Sequence, residues 1–454
     1  MLVSERLTVA QHGDSEPMRE PLDRRSFLRL GGAAGAALTM SPAALTVAGA
    51  AEMPSYAQLP AWSPARAASS ESFWRQVRAL YAPDPSIIDF DNGNSGAAPT
   101  PVIEAYVRRA RSLCAAPNVH YSRLSSDTGN AHYTRTAALL HTTIDELAMV
   151  LNATSGLNAI IHGFPFVSGD EIIVTNHEYP DMVDTLHRRA KRDGLVVRTI
   201  AVPGVEEDRL ALVARFRATV SSRTKLLLLS HVSAWNGEIL PVPELCAEAR
   251  AHGIAVLVDA AQSVGYLDVH FADWGCDFLA ASMHKGLGAP HATGVLVVRK
   301  DWIGKIEPLH PPTWDISKFP VDQYGWTGTA NVAAQATLAD AIVALERIGM
   351  ARKRARLMHL ASEWQALAHD IKGFQLLTPP PGARSFGFCA FALDHMPSKV
   401  VAERLRKEFR IVVQDKASRP YRPFNNAVRV TPQPFASLAE MQQLVVALRM
   451  IART

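Results

Sequence analysis

Two side chains that could do chemistry together follow two separate apolar segments. Asp259 comes directly after Leu257 and Val258, and Lys285 comes 26 residues later, after the apolar run 276–281. If these segments form neighbouring strands, the carboxylate and the amine face one pocket. That pair suits pyridoxal 5'-phosphate (PLP), because a lysine amine forms a Schiff base with its aldehyde and an aspartate keeps its pyridine nitrogen protonated. A buried ion pair between the aspartate and the lysine is the alternative.

The composition is that of an ordinary soluble globular protein, with 48% hydrophobic and 20% charged residues. The length of 454 residues allows two packed domains. The net charge is +4 without a block of basic residues, so we expect no nucleic-acid partner. The four cysteines are widely spaced and form no CxxC pair, which predicts neither a zinc site nor a disulfide framework, and we expect no metal.

The first 51 residues have the pattern of an export signal. Arg24 and Arg25 precede a weakly apolar run rich in Gly and Ala, which ends in a small-x-small cleavage site. Residues 1–51 therefore resemble a twin-arginine signal peptide, which predicts contact with the twin-arginine export machinery and a periplasmic or secreted location. Pro42 and the low hydrophobicity argue against a stable membrane span. Residues 52–70 are predicted to form a linker.

From about residue 130, helices alternate with short strands of continuous Val, Ile and Leu. Such runs, separated by helices, predict an α/β fold whose parallel sheet is buried on both faces. Ligands bind open α/β sheets at the carboxyl ends of the strands. Five polar residues are expected at these ends, and therefore in one layer: Thr154, Tyr179, Asn236, Asp259 and Lys285.

The segment 152–158 (NATSGLN) opens an apolar helix that ends near Phe164. Thr154 and Ser155 can cap this helix, and the amides of a helix N-terminus bind anions such as phosphate. An ordinary N-cap without a ligand explains the same residues.

A set of motifs, in this order and spacing, is similar to that of a known family. The motifs are NATSGLN, HEYP, SHVSAWNGEILPV, VDAAQSVG, SMHKGLGAP, a GT pair and a late RVTP. They resemble the class V aminotransferase family of fold-type I PLP enzymes over roughly residues 85–450, and within it the isopenicillin-N-epimerase-like proteins. The resemblance implies a large domain with a mainly parallel seven-stranded sheet, a smaller α+β C-terminal domain, and a homodimer with its sites at the interface.

The corresponding division of this chain places three regions after the linker. Residues 71–120 are predicted to be an N-terminal segment that packs on the small domain, 121–331 the large PLP-binding domain, and 332–454 the small domain. The loop 117–129 could cap a pocket or be an ordinary surface loop. The aromatic loop 300–330 could accommodate a large substrate or lie at a dimer interface.

The resemblance also implies a role for each residue of the predicted site. Lys285 would be the Schiff-base lysine and the base that moves the Cα proton, and Asp259 would pair with the pyridine nitrogen. Arg429 would bind the substrate carboxylate, and Asn94 would lie on a loop that closes near it. The remaining residues would contact the cofactor at its ring (Tyr179, Asn236, Gln262), at its phosphate (Ala153, Thr154, Ser282, His284) and, across the dimer, at the partner's phosphate (Thr329). Ser155 is also expected to contact the cofactor.

These features are common to several reactions on a small-molecule amino-acid-type substrate. Transamination, epimerisation, and β-elimination of a C–S or C–N substituent remain open. Cysteine desulfurases carry a nucleophilic Cys on a loop before the carboxylate-binding Arg, and the loop that begins at Gln414 has none. Cys389 lies in an apolar strand and is predicted to be a core thiol. If the chain is not an enzyme, the alternative is a non-catalytic binding protein that keeps the fold. If it is an exported enzyme, the expected substrate is an amino-acid residue in a secreted metabolite.

Overall fold

The structure, a computed structural model, describes residues 59–125, 131–313, 315–417 and 420–453. Its strands are β1 Ile88–Asp89, β2 Leu147–Val150, β3 Glu171–Thr175, β4 Val196–Ile200, β5 Thr224–Ser230, β6 Ala255–Asp259, β7 Phe278–Ser282, β8 Gly294–Val298, β9 Phe374–Leu376, β10 Cys389–Leu393, β11 Ile411–Val412, β12 Gln414–Asp415 and β13 Val428–Val430. Its helices are α1 Pro64–Ala68, α2 Glu71–Arg78, α3 Thr100–Ala115, α4 Pro117–Ser125, α5 Ala131–Leu139, α6 Ala153–Gly163, α7 Pro180–Asp193, α8 Ala211–Thr219, α9 Val242–Ala251, α10 Phe271–Trp274, α11 Val332–Ala336, α12 Leu338–Ile348, α13 Met350–Ala368, α14 Ser398–Phe409 and α15 Leu438–Ile451.

The larger sheet has seven strands in the order β2-β8-β7-β6-β5-β3-β4. The pairs from β7 to β4 are parallel, whereas β8 runs antiparallel to both of its neighbours. Every residue of β2, β3, β6, β7 and β8 is buried, because helices cover both faces of the sheet. The predicted mainly parallel seven-stranded sheet is confirmed.

The register of the central strands brings the ends of β5, β6 and β7 together. Ser230 pairs with Asp259, and Asp259 pairs with Ala280. The chain that leaves β2 turns at Asn152 into α6, which packs on β7. Carboxyl ends of parallel strands and a helix N-terminus therefore meet at one edge of the sheet, which is where ligands bind in this class of fold.

The C-terminal region forms a second, antiparallel sheet in the order β12-β13-β10-β9 with its own apolar core. The N-terminal segment joins this region, because β1 pairs with β11 and Asp91 bridges to Thr431. The chain then crosses to the larger sheet, where the Gly96 N–H donates to the His284 carbonyl at 3.0 Å. The loop 91–96 is thus held between the two sheets.

Two predicted loops contain helices. Within 117–129, residues 117–125 form α4, and within the predicted linker 52–70, residues 64–68 form α1. Helix α1 packs on α13, and Arg356 donates to the Ala68 carbonyl at 2.9 Å. The described part of the linker is therefore folded onto the protein.

The predicted export signal, residues 1–51, lies outside the described residues, as do 52–58 and 126–130. Among the helices that the structure describes, none combines the length and the apolar character needed to cross a bilayer.

Candidate active site

A cavity of about 160 Å³ opens at the carboxyl ends of β5, β6 and β7. Nine of the residues predicted for the site line it: Asn94, Ala153, Thr154, Tyr179, Asp259, Gln262, Ser282, His284 and Lys285. They come from the loop 91–96, the start of α6, the N-cap of α7, and the last residues of β6 and β7 with the segments that follow them. Folding therefore gathers groups that span nearly 200 positions of the chain (94 to 285) around one space.

Asp259 and Lys285 are the two charged groups of this cavity. Burial raises the pKa of Asp259, while the Ala261 N–H at 2.8 Å and the charge of Lys285 oppose that shift. Burial lowers the pKa of Lys285 to about 8, although Asp259 acts in the opposite direction. An amine with such a pKa is deprotonated in part near neutrality, whereas an exposed lysine is almost fully protonated, so Lys285 can act as a nucleophile and as a base.

The start of α6 forms one side of the cavity. Asn152 caps the helix by accepting the Ser155 N–H at 2.9 Å, and the Ser155 hydroxyl contacts Asn152 in return, so the two form a capping box. Ser155 forms this cap and does not line the cavity, and its contact with the cofactor stays a prediction. Across the cavity, Ser282 Oγ accepts the Ala153 N–H at 2.9 Å. Burial and Lys285 lower the pKa of His284 to about 4, so its imidazole is neutral.

Gln262 has an acceptor that no described residue satisfies. Its Nε2 donates to the Gly93 carbonyl at 2.6 Å, which ties it to the loop 91–96, whereas its buried Oε1 has no hydrogen-bond partner in the described chain. A buried acceptor without a partner costs free energy unless a ligand supplies a donor. A hydroxyl on a bound ring would supply that donor.

Arg429 borders a second, smaller cavity of about 30 Å³ that adjoins the first. The two cavities share Asn94, Tyr179, Ala234, Gln262 and Lys285. Arg429 is 2% exposed, and its guanidinium donates to the Ala234 carbonyl at 2.7 Å and pairs with Asp91 at 3.0 Å. A cation is thus fixed at the smaller cavity, which Lys285 also borders.

Two of the predicted site residues, Asn236 and Thr329, line neither of these two cavities. Asn236 is buried, and its Nδ2 donates to the Leu377 carbonyl at 3.0 Å, so its amide links the two sheets and does not line the cavity predicted to bind the ring. Thr329 borders a separate cavity of about 460 Å³ beside Tyr121 and Trp326. Its predicted contact is with a partner subunit, which a single chain does not contain.

The prediction omitted Asn152 and Ser230, although both line the cavity. Ser230 ends β5 beside Asp259 and donates to Glu178 at 2.7 Å. Glu178 also accepts from Thr175, and burial raises the pKa of Glu178 to about 7. Two signals in the sequence could have identified these residues. Ser230 lies at the end of an apolar strand, and Asn152 begins the NATSGLN segment that opens α6.

A family model described as aminotransferase class-V matches residues 88–439. Isopenicillin N epimerase of Streptomyces clavuligerus is 28% identical over 393 residues, which cover 83% of this chain and 97% of that protein. Among solved structures, the Escherichia coli cysteine desulfurase CsdA aligns with a TM-score of 0.73 at 20% identity, over 83% of this chain and 98% of that one. A complex of the cystine C-S lyase C-DES with cysteine persulfide aligns with a TM-score of 0.71 at 23% identity, over 80% and 98%.

The structural likenesses agree with the observed fold, and the family match covers most of the chain. The cavity beside Lys285 has the groups that PLP requires: an amine for the aldehyde, a carboxylate, a helix N-terminus and an unsatisfied acceptor. The chain belongs to the aminotransferase class-V family, whose members are PLP-dependent enzymes.

Proposed function

We propose that this enzyme acts at the Cα of an amino acid, or of an amino-acid residue in a secreted metabolite, by transamination or epimerisation. One observation carries the proposal: Lys285 borders both cavities, with Asp259 in the larger one and Arg429 in the smaller one. An amino acid whose carboxylate binds Arg429 is thereby held next to the amine of Lys285.

PLP, when bound, withdraws electrons from the Cα of the attached amino acid. Asp259 would keep the pyridine nitrogen protonated, because a buried carboxylate would gain an ionic hydrogen bond there. The Lys285 amine takes the Cα proton and returns it. Gln262 Oε1 would accept from the ring hydroxyl, and the N-terminus of α6, Ser282 and the neutral His284 would hold the phosphate. Arg429 binds the α-carboxylate.

The alternative function is a C–S or C–N lyase, since the lyase C-DES shares the fold. Cysteine desulfurase chemistry has less support. Cys389 lies in the core of the smaller sheet, where burial raises the pKa of its thiol to about 12. Ala390 on β10 pairs with Arg429 on β13, so their side chains share one face of the smaller sheet. Cys389 precedes Ala390 on the same strand, so its thiol projects from the face opposite to Arg429.

Incubation of the holoenzyme with candidate amino acids in deuterated water tests the reaction type. Deuterium at Cα together with inverted configuration supports epimerisation, and pyridoxamine phosphate supports transamination. A 2-keto acid with a released side group favours the lyase. A protein that binds no PLP, or that promotes no exchange with any amino acid tested, overturns the proposal.

We also propose that the enzyme is exported by the twin-arginine route. Arg24 and Arg25 before a weakly apolar run support this location. Replacement of both by lysine should retain the full-length protein in the cytoplasm, whereas the unaltered protein is recovered, shortened, outside it. Cytoplasmic recovery of the unaltered protein would remove the basis for a secreted substrate.

A further inference from the structure

A buried carboxyl group adjoins the larger cavity, and the proposed chemistry does not use it. Glu178 is 1% exposed. Its Oε1 accepts from the Thr175 hydroxyl at 2.6 Å, and its Oε2 accepts from the Ser230 hydroxyl at 2.7 Å. Both donors are neutral. Acidic side chains are rarely buried without a cationic partner, which makes Glu178 a candidate for a functional role.

Ser230 connects Glu178 to the cavity. It lines the cavity, ends β5 and is the register partner of Asp259 on β6. Register partners on neighbouring strands project from the same face of a sheet, so the side chains of Ser230 and Asp259 are neighbours at the cavity. A serine hydroxyl has one proton. While Ser230 donates that proton to Glu178, its oxygen offers only acceptor positions to the cavity.

Asp259 also acts on Glu178 through its charge. Burial raises the pKa of Glu178 to about 7, and Asp259 acts in the same direction, whereas hydrogen bonds from Thr175 and Ser230 oppose the shift. Two buried carboxyl groups on neighbouring segments of the larger sheet therefore repel each other when both are ionised. This repulsion disfavours the doubly ionised state unless a cation lies at the pair.

The other titratable groups beside this pair are two imidazoles and an amine. His177 precedes Glu178 and His231 follows Ser230 in the chain, and burial lowers the pKa of each imidazole to about 3, so both are neutral. Lys285 acts on Asp259 and lowers its pKa. A ligand that places a further cation against Asp259 would offset the repulsion between the two carboxylates. A protonated pyridine nitrogen is such a cation.

We propose that Glu178 is a positioning residue for the cofactor ring, which acts through Ser230 and beside Asp259 to favour the protonated form of the pyridine nitrogen. This inference rests on the proposed placement of that nitrogen at Asp259. It follows that a ring with this nitrogen binds more tightly when Glu178 is ionised. Protonation of Glu178 removes this part of the affinity.

The test uses the apoprotein and pyridoxine 5'-phosphate, which has the ring nitrogen and the phosphate but no aldehyde, so Lys285 forms no Schiff base with it. Calorimetric titration gives its dissociation constant for the wild type and for Glu178→Gln, a neutral isostere of the protonated acid. The two proteins should bind it equally at about pH 5.5, where Glu178 is protonated. At about pH 8.5 only the wild type carries the charge, and Glu178→Gln should bind about fivefold or more weakly. Equal affinity at both pH values overturns the proposal.

An analogue with a carbon in place of the ring nitrogen separates this role from a merely structural one. Such a ring has no pyridinium form, so its affinity should be nearly the same for the wild type and Glu178→Gln at either pH. An equal loss of affinity for the analogue and for pyridoxine 5'-phosphate would assign Glu178 to the folding of the site and overturn the proposal.

Ser230→Ala tests the hydroxyl, and it carries the test if Glu178→Gln does not fold. It removes a donor that holds the pKa of Glu178 down. Relative to the wild type, Ser230→Ala should therefore bind pyridoxine 5'-phosphate more weakly at about pH 7.5 and recover at about pH 9.5, where the carboxylate is ionised in both proteins. Ser230→Thr should restore the wild-type affinity. A uniform loss at both pH values, or no loss, contradicts a role for the Ser230 hydroxyl in this coupling and overturns the proposal.

Glu171→Gln is the matched control. Glu171 begins β3, outside the cavity, and its carboxylate accepts from Arg198 and Arg223 at 2.8 Å each. It should leave the affinity for pyridoxine 5'-phosphate unchanged at each pH, and a pH-dependent loss like that of Glu178→Gln would overturn the specific role of Glu178. If the wild type binds neither ring, the cofactor site at Asp259 is overturned, and this inference with it.

Discussion

At the scale of single residues, burial tunes the reactive groups of the site. Lys285 has a pKa of about 8 because it is enclosed by protein, and Asp259 limits that shift. The opposite shifts of a buried amine and a buried carboxylate are what solvent exclusion produces in any protein. Because both groups line one cavity, a single ligand can contact the amine and the carboxylate together.

Lys285→Ala should abolish the visible absorbance of a covalently attached cofactor and reduce α-proton exchange by at least about 10²-fold, because it removes both the amine and the base. Spectra of the purified protein with added PLP and exchange followed by NMR measure the two effects. Lys300→Ala is the control, since that exposed side chain pairs with Asp145 on the surface. Full exchange in Lys285→Ala would contradict the assigned role.

Lys353 is a buried amine outside the cavity, and its lowered pKa predicts that stability depends on pH. Its ammonium donates to the Gly286 carbonyl at 2.7 Å, and burial lowers its pKa from 10.5 to about 7. Between these values the unfolded chain binds this proton and the folded chain does not, so the free energy of unfolding should rise with pH. Urea unfolding of the apoprotein at about pH 7.5 and about pH 9.5 should show a smaller rise in Lys353→Met. An equal rise of the unfolding free energy in the wild-type protein and in Lys353→Met would refute the lowered pKa of Lys353.

At the scale of elements, helix caps and loops position the reactive groups. Asn152 and Ser437 both form capping boxes, at α6 and α15, but only the first lies at the cavity. Asn152→Ala and Ser437→Ala should each lower the free energy of unfolding by about 1 kcal/mol. Only Asn152→Ala should also weaken PLP binding, measured by fluorescence titration. Equal PLP affinity in the two variants would argue against a phosphate site at α6.

The loop 91–96 packs directly on the segment that carries Lys285. A Cβ at Gly96 would come within 2.0 Å of the Lys285 carbonyl oxygen, so Gly96→Ala must displace the loop or the lysine segment. We expect weaker PLP binding and slower α-proton exchange. Gly382→Ala is the control, because the nearest atom to its Cβ would be 4.0 Å away. Wild-type exchange in Gly96→Ala would show that the loop does not position the lysine.

At the scale of the whole molecule, the two sheets share the site, and Thr329 stands apart from it. Thr329 borders its own cavity with Tyr121 and Trp326, as expected if it serves a second subunit. We predict that light scattering gives twice the mass of one chain. Thr329→Val should weaken PLP binding without changing that mass, because it removes one hydroxyl donor. A monomer with full PLP affinity would contradict the predicted dimer.

Local pattern was sufficient for much of this structure. Apolar runs predicted the central strands closely, as for Glu171–Thr175, and the residues at their ends predicted most of the cavity. This works because buried strands need continuous apolar residues, and because parallel strands bring their carboxyl ends to one edge. The half-buried edge strand β9 gave no such signal.

Partners distant in the chain decided the rest. Asn236 bonds to Leu377, 141 positions away, and Arg429 pairs with Asp91, 338 positions away, so neither contact can be inferred from local pattern. The sequence by itself determined which groups could hold PLP. Only the tertiary structure decided which of them face the cavity, because that depends on strand register and on competing hydrogen bonds. The same register placed Gln414 opposite Arg429.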